Sequence, residues 1–114
     1  MPEQGDLVLI PVPFTDLSSQ KRRPVIVISN DTHNRRNPDV VVVAMTSRPH
    51  ADAFSFQIRS SDLVEGALNR PGTVRVDKIY TLAKAIIVKR FGKVSPEVVD
   101  RIRVLLTALT AAKP

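Results

Sequence analysis

"SQKRRPVIVISN", residues 19–30, decides how the chain is read. From Pro24 onward the stretch is an aliphatic, β-branched run, the composition of a strand buried in a core. Directly before it stand three consecutive cations, Lys21, Arg22 and Arg23. Proline disfavours the helical conformation for the residue that precedes it, so Arg23 is held extended at the mouth of the strand. Its planar, always-charged guanidinium suits bidentate recognition of phosphate. Lys21 and Arg22 lack that restraint and read equally as a steering patch or as solvated charges.

Further strands lie on either side. "DLVLIPV" (6–12) and "VVVVAMT" (40–46) are runs of the same kind, bounded by polar or proline-containing stretches. "AFSFQIR" (53–59) alternates, with Phe54, Phe56 and Ile58 on one face and Ser55, Gln57 and Arg59 on the other. "GTVRVDK" (72–78) alternates too, which predicts Val74 and Val76 inward and Thr73, Arg75 and Asp77 outward. "KAIIVKRF" (84–91) predicts a last strand. The period then changes. Ser95 is a candidate N-cap, Pro96 takes the first helical position, and Glu97 sits where the helix dipole favours an anion. Val98, Ile102, Leu105, Leu109 and Ala112 recur at helical spacing. Val98 at the third helical position rules out a full capping box. Short strands followed by a helix predict a mainly β fold, a curled sheet or small barrel capped by that helix.

Composition narrows the function classes. The 114 residues suit a single domain over 1–114, and 43% hydrophobic with 25% charged residues is an ordinary globular balance. No cysteine is present, so a disulfide framework is excluded and nothing argues for secretion. No signal peptide or apolar run long enough to span a bilayer is visible, and a soluble cytoplasmic protein is expected. His33 and His50 stand apart without thiol partners, so neither a metal nor another cofactor is expected. The net charge of +6 is uneven: residues 1–20 carry no Lys or Arg, and Lys21, Arg22, Arg23, Arg35, Arg36 and Arg48 follow. A basic domain of this kind favours polyanions, nucleic acid above all.

Two more constellations could carry chemistry. In "AMTSRPH" (44–50) the hydroxyls of Thr46 and Ser47 end an apolar strand and Arg48 follows. Strand ends are where a rigid scaffold presents side chains to a ligand, although a β-favouring threonine before a turn would look the same. If the strands of Arg23 and Thr46 are antiparallel neighbours, cation and hydroxyl meet at one edge. In "RVD" (75–77) the period of two places Arg75 and Asp77 on one face, either as a surface ion pair or as a phosphate ligand beside an acceptor for a ribose hydroxyl.

"GDLVLIPVPFTDLSSQKRRPVIVISND" (5–31) resembles the opening of the MazF/PemK toxins of prokaryotic toxin-antitoxin pairs. It has a Gly-Asp before the first strand, a Pro-Phe-Thr-Asp loop and an Arg-Pro leading into an aliphatic strand. "VVVVAMTS" and "GTVRVDKIYTL" are similar to later segments of the same family. The resemblance covers nearly the whole chain, and it is the ordered set of motifs that is specific. It implies a small SH3-like barrel with a C-terminal helix, the fold shared by the CcdB, Kid and MazF toxins. It also implies a homodimer, and metal-independent cleavage of single-stranded RNA at short sequences. The family's catalytic arginine corresponds to Arg23 and its threonine to Thr46. An Arg-x-Asp pair assigned in some members corresponds to Arg75 and Asp77. A cognate antitoxin is implied as partner, and charge complementarity with the basic edge makes it an acidic segment.

Cleavage by the RNA's own 2′-hydroxyl requires in-line orientation, charge stabilisation at phosphorus and two proton transfers. Arg23 and Thr46 suit the second task. Neither is a comfortable base near neutrality, so Asp77, a perturbed Arg23 and solvent stay open for that role. Aromatics are only 4% of the chain, which argues against a base-stacking platform. Phe14 is the best candidate for a base contact. Gln20, Lys21, Arg22, Ser47 and Arg48 complete the expected RNA-binding set, on loops near 13–20 and 47–53. The rival readings are a non-catalytic nucleic-acid-binding module and a gyrase-directed toxin on the same fold.

Overall fold

The run that ends in Thr46 forms an interior strand of a seven-stranded sheet. The computed structural model describes residues 2–11 and 22–112. Its strands are β1 (Asp6–Pro11), β2 (Arg22–Val27), β3 (Asp39–Thr46), β4 (Ser55–Ile58), β5 (Leu63–Glu65), β6 (Gly72–Ala83) and β7 (Lys89–Val94). Helix α1 (Asp31–Arg36) joins β2 to β3, and α2 (Pro96–Leu109) follows β7. The sheet order is β4-β6-β3-β2-β1-β7-β5, and neighbouring strands pair antiparallel. The expected mainly β class, a curled sheet with a C-terminal helix, is what the chain adopts; the sheet curls into a half-barrel.

Strand β3 explains why its sequence is uniformly apolar. Val43 and Met45 enter the main core with Leu7, Ile26, Val74 and Val76. Val40 and Val42 face the other way, into a second cluster with Val8, Ile10, Val25 and Val27. A strand buried on both faces has no polar side to alternate. Helix α2 closes the main core with Val98 and Ile102, while Leu82 and Ile87 cover the second cluster. The Ser95 hydroxyl accepts from the Val98 backbone N–H at 3.3 Å, as the sequence predicts for an N-cap.

Several sequence expectations need correction. The segment predicted as a strand over 84–91 instead begins with a 3-10 turn at Lys84–Ile86, and the strand starts at Lys89. The Lys84 N–H bonds to the Pro38 carbonyl and the Ile87 N–H to Lys84, closing the turn. Of its Ile-Ile-Val run, Ile87 covers the second cluster, and Val88 makes the first bond to β1, donating its N–H to the Leu9 carbonyl at 2.8 Å. Thr73, expected outward, is buried, because β6 runs between β3 and β4 at that point. Phe54 lies before β4 and is half-buried, whereas Phe56 and Ile58 are buried as expected. Helix α1 and strand β5 are too short to leave a periodic pattern. The first is fixed by its ends, where Asn30 Oδ1 accepts from the His33 N–H at 2.9 Å and the Asn37 N–H donates to the His33 carbonyl.

A buried carboxylate ties one edge of the sheet. Asp6 accepts from Arg90 Nε at 2.9 Å and from the Glu3 N–H at 2.8 Å, and Arg90 reaches on to Glu65 at 2.8 Å. Asp6 is buried, so removing a partner would leave a desolvated charge. Among the described residues no helix is long and apolar enough to cross a membrane.

The two-sided core sets an expected difference between positions. Ile26→Ala should cost about 2–5 kcal/mol, the range for a fully buried large-to-small change. Val104→Ala, at a residue 66% exposed on α2, should stay within about 0.5 kcal/mol of the parent. Urea denaturation of both variants measures the contrast.

Candidate active site

The site is built from the register of β2 on β3. Val25 pairs with Ala44, Ile26 with Val43 and Val27 with Val42. Carried toward the start of β2, this register sets Arg23 level with Thr46. Pro24 has no N–H to donate, and the paired ladder begins one residue later, at Val25. The row continues on both sides: Ile10 pairs with Arg23, Thr46 with Thr73, and Thr73 with Gln57. A second row holds Val8, Val25, Ala44, Arg75 and Ser55. Opposed residues share a face, so Arg23, Thr46 and Arg75 project from the side of the sheet that carries the second apolar cluster. Helix α2 packs on the other side.

Each side chain has a local reason for its position. Arg23 is exposed at the strand mouth, as is Arg22. Thr46 is half-buried at the end of β3, and its Oγ1 accepts from the Arg48 N–H at 3.1 Å. That bond turns the chain and orients the hydroxyl, whose own proton stays available to donate. Ser47 and Arg48 follow on an exposed turn. Two clefts open beside the row. One, of about 200 Å³, is lined by Arg23, Ala44, Tyr80, Leu82 and Ile86. The other, of about 280 Å³, is lined by Thr46, Ser47, Asn69 and Arg70. Pro24 and Met45 border both.

Arg75 and Asp77 form a two-bond pair, Nε to Oδ1 at 3.0 Å and an Nη to Oδ2 at 2.9 Å. They sit where β6 slips by three residues against β3, since Ala44 pairs with Arg75 but Val43 pairs with Ile79. Such a bulge re-aims side chains, and here it brings the Arg-x-Asp pair out on a bend. The Arg75 hydrogen bonds hold the Asp77 carboxyl below its ordinary value, and Asp77 in turn raises Arg75. With both oxygens on Arg75, Asp77 is a weakened proton acceptor.

A His-Asp pair escaped the sequence. His50 Nε2 meets Asp52 Oδ2 at 2.5 Å on the loop after β3. The Phe54 N–H bond, and then the His50 bond, hold the Asp52 carboxyl below its ordinary value. The only signal was the spacing His-x-Asp, which is uninformative without the turn that brings the two together. Arg101 of α2 was also missed; its guanidinium stands 4.2 Å from the centroid of the Phe56 ring. Phe14, Gln20 and Lys21 lie outside the described residues. Among the described residues no group of three or more His, Asp or Glu side chains is arranged to hold a metal ion.

The family profile of PemK-like, MazF-like toxins of type II toxin-antitoxin systems matches residues 3–110. No curated protein matches the chain. Among solved structures, the chain is similar to an endoribonuclease in complex with its cognate antitoxin from a Mycobacterial species. That match has 27% identity and a TM-score of 0.77 and covers 100% of both chains. A further structure, of an endoribonuclease from a Mycobacterial species, gives 27% identity and a TM-score of 0.75, over 99% of this chain and 95% of that one. In the MazE-MazF complex from Deinococcus radiodurans the likeness is one of fold: 23% identity, TM-score 0.76, covering 95% of this chain and 94% of that one.

The Arg75–Asp77 pair should leave a signature in stability. A folded-state carboxyl pKa below the unfolded value contributes stability above the unfolded pKa, and that contribution is lost as pH falls through the folded one. Asp77→Asn should therefore cost about 0.2–1 kcal/mol at neutral pH, the scale of a partly exposed pair. The gap between parent and variant should close on acidification below the ordinary carboxyl value of 3.8. Urea unfolding of both proteins across that range measures it.

Proposed function

The chain belongs to the PemK-like, MazF-like toxin family of type II toxin-antitoxin systems, and from that membership we propose that it is a metal-independent, sequence-specific endoribonuclease. Its substrate is single-stranded RNA. The 2′-hydroxyl of one nucleotide attacks the adjacent phosphorus, and the chain breaks to a 2′,3′-cyclic phosphate and a 5′-hydroxyl end. The observation that carries the reading is the cross-strand row: the register that pairs β2 with β3 brings Arg23 level with the Thr46 hydroxyl on one face.

The chemistry follows from the donors. Arg23 can give two N–H bonds to the non-bridging oxygens as charge grows on the phosphorane. Thr46, with its oxygen already accepting from the Arg48 N–H, can donate its proton to the same centre. Arg75 in the neighbouring row, with Asp77 fixing its orientation, is placed for the next phosphate. Ser47, Arg48 and Arg22 line the exposed rim. Together with Phe14, Gln20 and Lys21 they form the RNA-binding set in this reading.

The same reading extends to partners and organisation. Residues 1–114 act as one toxin domain in the cytoplasm. A cognate antitoxin covers the basic edge with an acidic segment, by analogy with the Mycobacterial endoribonuclease that is bound to its own antitoxin. The working unit is a homodimer. The exposed apolar side chains Ile79, Tyr80, Ile86 and Val88, all on the segment 79–88, support a contact between copies. Sedimentation of the purified protein should give the mass of two chains, and a single-chain mass at all concentrations refutes that part.

The cleavage test uses a long single-stranded RNA in excess EDTA with the parent, Arg23→Ala and Thr46→Ala. The parent should produce discrete cuts with 5′-hydroxyl ends. Each variant should lose activity by about 10²–10³ or more, the scale for removing one donor to a developing oxyanion. Intact RNA with binding preserved would replace the nuclease with a binding module. Intact RNA with gyrase inhibited would identify a gyrase-directed toxin.

A further inference from the structure

The row of Arg23 and Thr46 lacks a group that exchanges protons near neutrality. Arginine stays charged, a threonine hydroxyl does not ionise, and both oxygens of Asp77 are on Arg75. Imidazole is the side chain suited to the task, and the sequence holds two. His33 lies in α1, between the end of β2 and the start of β3, at the opposite edge of the sheet from Arg23 and Thr46. His50 lies four residues beyond Thr46. Chain geometry keeps its Cα within about 14 Å of that of Thr46.

We propose that His50, oriented by Asp52, is the general base that takes the proton from the attacking 2′-hydroxyl. This rests on the ribonuclease reading above. The loop that carries His50 is clamped. The Ser55 hydroxyl donates to the His50 carbonyl at 3.1 Å and accepts from the Asp52 N–H at 3.2 Å. Asp52 Oδ1 accepts from the Phe54 N–H at 2.8 Å, leaving Oδ2 for His50 Nε2. A carboxylate on one ring nitrogen fixes the tautomer and stabilises the imidazolium that forms when the other takes a proton. Ser55 stands opposite Arg75 in the ladder, so the clamp belongs to the row next to that of Arg23 and Thr46.

His50 is partly open to solvent, its side chain 36% exposed, and it lines a cleft of about 600 Å³ with Asp52, Ser55, Phe56, Gln57 and Arg101. The charged groups facing this loop are Asp52 itself, Arg101 from α2, and Arg75 and Asp77 from β6, both of which feel the Asp52 charge. In the step itself the O2′–P bond forms and the P–O5′ bond breaks. The O2′ proton passes to His50 Nδ1, and the 5′-oxygen leaves as a hydroxyl on taking a proton from solvent.

The experiment is single-turnover cleavage of one RNA by the parent, His50→Gln, His50→Ala and Asp52→Asn across pH, with RNA affinity measured in parallel. The parent rate should fall on acidification below neutrality. His50→Gln should cut about 10²–10⁴-fold more slowly with that acidic limb gone and affinity retained. Imidazole added to the buffer should partly restore His50→Ala, and Asp52→Asn should fall between parent and His50→Gln. Parental rate and pH profile in His50→Gln would overturn the assignment. So would a loss matched by weaker RNA binding, with the pH profile unchanged and no response to imidazole. In both cases a cutting parent keeps the ribonuclease reading intact, whereas a parent that cuts no RNA removes both.

Discussion

Burial of β3 on both faces is the constraint on which the rest of the molecule depends. Val43 and Met45 belong to one core and Val40 and Val42 to the other. A slip of one residue in its register would exchange these sets and turn Thr46 toward α2. Two independent clusters therefore specify a single alignment with β2 on one side and β6 on the other. Arg23, Thr46 and Arg75 add almost nothing to that packing and inherit their positions from it. The precision of the row comes from aliphatic side chains that never touch solvent.

The two faces divide the labour. The α2 side is closed by a capped helix and holds the main core. The opposite side has a smaller cluster, partly covered by the segment around Ile87, and beyond it the strand ends stay open. The bulge in β6 belongs to this arrangement. Continuous pairing with β3 along all of β6 would put Arg75 and Asp77 in an ordinary flat row. The three-residue slip lets the first half of β6 serve β4 and the second half follow β3 around the curl. Asp77 then acts as a counter-ion to Arg75 on the face of the sheet that also carries Arg23.

Most of the sheet was legible in the sequence because its strands are β-branched runs, and α2 because Ser95 and Pro96 mark its start. Arg23 stood out through Pro24, which restrains its backbone, and the Arg75–Asp77 pair through simple alternation. The failures have physical causes. In 84–91 composition and role part company: Lys84–Ile86 form a turn, Ile87 covers a core, and the strand begins at Lys89. Thr73 is buried by its place between two strands, which alternation along one strand does not report. The His50–Asp52 clamp depends on Ser55 and on the Phe54 N–H, a set of contacts made only when the loop closes on β4. No local pattern encodes it.

The closing of the main core by α2 also bears on biosynthesis. Arg23 and Thr46 are translated before Val98 and Ile102, which lock the strands that carry them. A nascent chain thus possesses the Arg23 and Thr46 side chains well before it possesses the wall that holds them in register. For a member of a toxin family, this order postpones a rigid row until translation has passed the helix.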